Sequence, residues 1–278
     1  ELNPKVRHKL NSIPLDKKNN VYITYLPDAT EKDILETVEF VSNQNLVPIT
    51  HLPARTMKDL EHVSIFLKEL RKRTDSKKIL VIGGGGKQNG SISSSLEILE
   101  SDLLKDNDFT EIGVAGHPEG SPDINQETIN DFLNKKYDLS QNKNLNLELV
   151  TQFFFNASPF IDWCQDLKAK NINLPVRVGF PGPASFKTLL NFGIMSGVGN
   201  SINFLKKNSS KVTDLLTKTS NDDMLIELAN FAQDENSLKS FHCFPFGGFE
   251  KTCLWLNAVQ SGEFTIDNSK IVLHKKIF

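Results

Sequence analysis

"EIGVAGHPEGSPD" (residues 111–123) begins as an apolar, strand-like run and ends in a loop that holds His117, Glu119 and Asp123 within seven residues. Glycine and proline interrupt that loop, so no regular element continues through it. Comparable runs recur along the chain: "VYITYL" (21–26), "LVPITHL" (46–52), "KILVIGG" (78–84), "LELVTQFFF" (147–155), "PVRVGF" (175–180) and "SFHCFPF" (240–246). Their β-branched and aromatic content reads as strands. Segments of helical period lie between them, at 31–44, 57–73, 94–104, 127–137, 158–170 and 185–195, with a longer one at 214–234.

Strands that alternate with helices form a parallel sheet covered on both faces. Polar and glycine residues recur at the carboxyl end of strand after strand, where (βα)8 barrels place their chemistry, so the expected fold is an α/β TIM barrel rather than an open doubly wound sheet. Seven strands are legible; the opening "EL" supplies the end of an eighth, whose start is cut short or lies upstream of Glu1. With no internal repeat or linker, residues 1–278 read as one domain. The alternating tail at 262–278 reads as a peripheral hairpin.

The 278 residues are 38% hydrophobic and 24% charged with a net charge of −2, which is ordinary for a globular chain and gives no electrostatic footprint for nucleic acid or an acidic membrane. No apolar run reaches the length of a membrane span. A cytoplasmic location is expected, with Cys164, Cys243 and Cys253 as buried, reduced thiols. The first residue is Glu1 rather than Met, which leaves room for a targeting segment upstream. Only five basic residues are arginine, so an anion site here leans on lysine, backbone N–H groups or one of those few.

The strand ends gather Glu1, His51, Arg55, the run Gly83 to Gly86, His117, Glu119, Gln152 and Phe186. The glycine run lacks both the dinucleotide fingerprint and the Walker ending. It reads either as backbone opened to a flat ligand or as a flexible turn. Single histidines are more often structural hydrogen-bonders than catalysts, and the spacing here supports no metal site. Gln152, an amide within an apolar strand, is expected to be buried and hydrogen-bonded, and Phe153 to Phe155 to be core. Asp123 is placed to cap the helix after its loop.

Together, "ELNP", "THLPART", "GVAGHPEGSP", "LVTQFFFN", "LPVRVGFPGPASFKTLLNF" and "FHCFPFGGFEKT" resemble the methylenetetrahydrofolate reductase family, in order and over nearly the whole chain. The resemblance implies a barrel that binds FAD and uses NADH or NADPH and a folate in turn, in the one-carbon metabolism that serves methionine biosynthesis. It implies that Glu1 is the catalytic acid toward the folate nitrogen. His51, Arg55, Gly83, Gly84, Gly85, His117 and Glu119 would line the flavin, and Lys135 and Lys136 would meet its phosphates. Gln152 and Phe186 would hold the folate. Two positions depart from the family pattern: Gly85 stands where an aspartate is usual, and His117 where better-known members carry tyrosine. Two alternatives share the barrel: a tetrahydrofolate-dependent methyl or one-carbon transferase of demethylase type, and a non-catalytic folate- or flavin-binding subunit. A homo-oligomer is expected, with no metal, nucleic acid or membrane partner.

Overall fold

A computed structural model describes residues 1–13, 15, 19–85, 87–122, 124–196, 221–234 and 237–276. Gly86, Asp123 with its expected capping role, and residues 214–220 of the expected long helix lie outside these. The strands are β1 (Asn20–Ile23), β2 (Val47–Pro53), β3 (Lys78–Ile82), β4 (Glu111–Gly116), β5 (Asn146–Phe153), β6 (Val176–Pro181) and β7 (Leu238–Phe244). They form one sheet in strict chain order. β1–β2, β2–β3, β3–β4 and β6–β7 pair in parallel. A doubly wound sheet reverses its order at a switch point, and this one does not. The fold is an α/β fold of TIM-barrel type, as expected.

The "EL" expectation also holds: Leu2 forms a parallel bridge with Ile23, donating its N–H to Tyr22 O at 2.7 Å and accepting from Thr24 N–H at 3.1 Å. Its side chain is wholly buried.

Local chemistry explains the helices. In α1 (Glu31–Asn43), Thr30 and Asp33 form a reciprocal capping box. Ile34, Thr37, Val38 and Val41 recur at helical spacing and form its buried stripe. Asn45, in the left-handed region at φ 59°, turns the chain toward β2. In α2 (Leu60–Arg71), the Asp59 carboxylate accepts from His62 N–H. The helix expected at 94–104 is instead split into α3 (Ser95–Glu100) and α4 (Leu103–Asp106). Ser101 causes the break: its hydroxyl donates to Ile98 O and accepts from Leu103 N–H, diverting backbone groups from the helical ladder.

α5 (Gln126–Asn142), α6 (Ser158–Ala169), α7 (Phe186–Ser196), α8 (Asp222–Asp234) and α9 (Phe249–Gln260) follow. Among the described residues, three elements were not anticipated: 3-10 helices at Pro4–Ser12 and Ala54–Thr56, and α9, although the buried Phe249, Thr252, Cys253 and Trp255 carry a helical spacing. The tail forms the expected hairpin, β8 (Phe264–Asp267) against β9 (Lys270–Leu273). Asn268 and Ser269 make its turn with left-handed φ of 47° and 60°. The Asp222 carboxylate accepts from Ile271 N–H and ties the hairpin to α8.

The chain divides into two compact units, one of Glu1–His8, Pro14–Gly116 and Glu127–Val150, the other of Lys9–Ile13, His117–Gln126 and Thr151–Phe278. In the first, Tyr22, Ile49, Leu80 and Val150 form a core cluster with Ile82 against it. In the second, Phe153, Phe155, Ala184, Leu189 and Phe244 do so, with Phe186, Phe192 and Phe246 packed alongside. Among the described residues no helix is long and apolar enough to cross a membrane.

β5 and β6 approach closely in the second unit, where Gly179 N–H donates to the buried Thr151 hydroxyl at 2.8 Å. A Cβ on Gly179 would lie 2.6 Å from Thr151 O, a backbone atom that cannot give way. Gly179→Ala is therefore expected to cost on the order of 2 kcal/mol or more in urea unfolding. An unchanged midpoint would contradict this packing.

Candidate functional site

In the first unit the edge of β1 brings Glu1 to His51. The Glu1 carboxylate lies 3.7 Å from His51 Nε2, with side chains only 14% and 11% exposed. That separation is charge-pair range rather than a direct hydrogen bond. The Tyr22 ring stands edge-on to the imidazole, 6.2 Å away at 73°. Its hydroxyl turns to Glu148 Oε1 at 3.4 Å. Sequence reading passed over Tyr22 and Glu148, although strand alternation already set Tyr22 on the face of Ile49 and Leu80.

The glycine run meets the turn that follows β2. Arg55 N–H donates to Gly83 O at 2.9 Å, Asn89 N–H to Arg55 O at 2.8 Å, and the Asn89 amide to Thr56 O at 3.0 Å. Gly84 is required here: φ is +83°, and a Cβ would lie 2.9 Å from Pro53 Cβ. A Cβ on Gly83 or Gly85 would meet nothing within 4 Å. The run is therefore stitched backbone with open space beside two of its residues.

The two lysines that the family resemblance assigns to the FAD phosphates have different surroundings. Lys135 is exposed and paired with Asp131 at 2.7 Å, an i,i+4 contact along α5. Lys136, only 5% exposed, donates to Ala115 O at 3.0 Å near the end of β4. Burial pulls its pKa from 10.5 down to about 8. Helical period accounts for the difference, because adjacent residues point about 100° apart, and that step carries Lys136 onto the inner face with Ile129 and Leu133.

In the second unit, His117, Pro118, Glu119 and Gly120 form a turn closed by Gly120 N–H to His117 O at 3.2 Å, and His117 and Glu119 are half-buried. Gln152 corrects the sequence reading, because it is exposed. Strand alternation buries Thr151 and Phe153, so the buried polar group of "TQFFF" is Thr151. The Gln152 amide oxygen accepts from Phe153 N–H at 3.1 Å. Phe153, Phe154 and Phe155 are core, as expected.

Phe186 is the half-buried first residue of α7, after Ser185, whose hydroxyl accepts from Thr188 N–H. Around it lies an aromatic array in which Phe192 stacks on Phe246 at 4.0 Å and Phe153 stands edge-on to Phe246 at 4.6 Å. Gly182 N–H donates to Phe244 O at 2.8 Å and joins "PGPA" to "FPFGG". Cys164 and Cys253 are buried, as expected, whereas Cys243 is only half-buried, and burial pushes the Cys253 thiol up to about 11. Among the described residues no three His, Cys, Asp or Glu side chains are grouped to hold a metal ion.

These features define an α/β barrel with a nearly buried carboxyl–imidazole pair, an open glycine backbone and an aromatic array. No family model matches the chain. It is 20% identical over 159 residues to methylenetetrahydrofolate reductase 2 of Saccharomyces cerevisiae, a match that covers 56% of this chain and 26% of that protein. The chain also resembles the solved structure of an uncharacterized Clostridium thermocellum protein described as binding two copies of 5-methyl-5,6,7,8-tetrahydrofolic acid. That likeness has a TM-score of 0.56 at 15% identity, over 90% of this chain and 83% of the other. N-acetylneuraminate lyase from Fusobacterium nucleatum superposes with a TM-score of 0.42 at 12% identity, over 93% and 90% of the two chains.

The Lys136 amine makes stability depend on pH. Its lowered folded-state pKa means that the folded chain binds fewer protons than the unfolded one between about pH 8 and 10.5. The burial penalty is present in full below pH 8 and is relieved as pH rises through that window, by roughly 3 kcal/mol. Urea unfolding should show wild-type stability rising across the window relative to Lys136→Met. A pH-independent difference between the two proteins would contradict the burial of a titrating amine.

Proposed function

We propose that this chain is a folate-binding, flavin-dependent oxidoreductase that interconverts methylene- and methyl-tetrahydrofolate with NADH or NADPH. The observation that carries the reading is the placement of Glu1, a carboxyl group 14% exposed and held beside His51. Opening the five-membered ring of the folate requires a proton on its nitrogen, and a carboxyl group supplies one near neutral pH only where water is largely excluded. The similarity to the yeast reductase and the folate bound by the Clostridium protein support the substrate class.

The open backbone at Gly83 and Gly85, tied to Arg55, fits the flat ring of FAD. Of the lysines, Lys136 is held by Ala115 O, whereas Lys135, in an exposed pair with Asp131, is the one able to turn to its diphosphate. FAD, when bound, supplies the carriage of a hydride between the nicotinamide and the folate carbon. In this reading His51 and His117 are flavin-binding residues, and Glu119 orders the turn that carries His117. Gln152 offers its amide to the pterin edge, and Phe186 stacks on the folate.

One observation favours a second reading. Gly85 leaves the flavin ring without the carboxylate usual beside it, and a tetrahydrofolate-dependent methyl transferase on the same barrel needs no such group. Binding of FAD separates the two readings.

Glu1→Gln is expected to slow oxidation of the reduced flavin by 5,10-methylenetetrahydrofolate by about 100-fold or more, far beyond any effect on reduction by NADH, in stopped-flow measurements. Equal losses in both half-reactions would remove the acid role. Gln152→Ala should weaken folate binding by about 10-fold, the loss of one or two hydrogen bonds, as read by folate titration. Unchanged folate affinity would contradict the pterin contact.

A further inference from the structure

The acid proposed above does not stand alone, and its neighbour is itself titratable. We propose that His51 is a positioning residue for the proton of Glu1: the two side chains, coupled by charge, together carry one proton, and Glu1 delivers it to the folate nitrogen. This rests on the reading of Glu1 as the acid.

The Glu1 carboxylate and His51 Nε2 lie 3.7 Å apart with both side chains nearly buried. A lone charge in such a place is strongly disfavoured, whereas one shared proton leaves the pair either neutral or as opposite charges. Two neighbouring strands pack against the imidazole. From β1 comes the Tyr22 ring, with its hydroxyl committed to Glu148 of β5. From β3 the register neighbour of His51 is Leu80, which does not titrate.

Two groups that interact this closely titrate as a unit and keep their shared proton to higher pH than an isolated carboxyl group does. In each turnover the proton leaves the pair for the folate nitrogen, the nicotinamide supplies the hydride that reaches the folate carbon, and water returns one proton to the pair. The net reaction consumes one proton and one hydride.

The test uses the full chain loaded with FAD, with both half-reactions followed across pH for wild type, His51→Asn and His51→Gln. The alkaline limb of the reaction with 5,10-methylenetetrahydrofolate is expected to move down by about one pH unit or more in both variants, a loss of about 10-fold on that limb. The pH limbs of the NADH reaction should stay in place, whatever its rate. A uniform loss at every pH, with the limb unmoved, would make His51 merely structural and overturn the proposal.

A second measurement needs neither His51 variant nor FAD. In a histidine NMR titration, His51 should deprotonate at lower pH in Glu1→Gln than in wild type. Identical titrations would overturn the proposal. A wild-type protein that shows no reaction with folate would instead sink the functional reading. Normal wild-type turnover that is lost in Glu1→Gln, with an unmoved limb in the His51 variants, would sink this inference alone.

Discussion

The parallel register of the strands is the constraint on which the candidate site depends. Leu2 pairs beside Ile23, Ile23 beside Thr50, and Thr50 beside Ile79, a ladder that leaves each chain direction no freedom. Because successive side chains alternate between faces, a slip of one residue would turn Tyr22, Ile49 and Leu80 out of their cluster. The buried stub at Leu2 is the lever: it anchors the residue before it, Glu1, within reach of an imidazole on the next strand but one. In the second unit the same kind of constraint sets Pro181 beside Phe244 and joins two loops rich in glycine and proline.

Polar groups in these units fall into two kinds, and burial separates them. Thr151 and Lys136 are buried and committed to backbone partners, Gly179 N–H and Ala115 O, so each one holds strands or a helix in place. Gln152 and the open backbone of Gly83 and Gly85 face space that a ligand can use. Glu1 and His51 combine the two properties, nearly buried yet paired with a titratable neighbour. That combination is costly in a purely structural role and useful in proton transfer, where a carboxyl group largely shielded from water is what the chemistry asks for.

Much of the fold was legible because strands buried on both faces are apolar runs that a sequence displays directly. All seven strands fell within a few residues of their expected bounds, and "EL" supplied the eighth rung. The break between α3 and α4 was hidden because it depends on the hydroxyl of Ser101 competing for backbone groups, which composition does not reveal. Gln152 was misjudged as buried because three following phenylalanines suggested a wholly interior strand, whereas alternation alone would have placed Thr151 inside. Lys135 and Lys136 read as a pair, but helical geometry sends neighbours in different directions. The approach of Glu1 to His51 joins residues fifty positions apart, and no local pattern announces it.

The central claim is that the barrel carries hydride between a nicotinamide and a folate through FAD. The most direct measurement is the visible absorption of the protein mixed with FAD, followed anaerobically through addition of NADH and then of 5,10-methylenetetrahydrofolate. The account predicts that bound flavin bleaches with NADH and regains its colour with the folate. A protein that takes up no FAD, or whose reduced flavin is left unchanged by the folate, would contradict it.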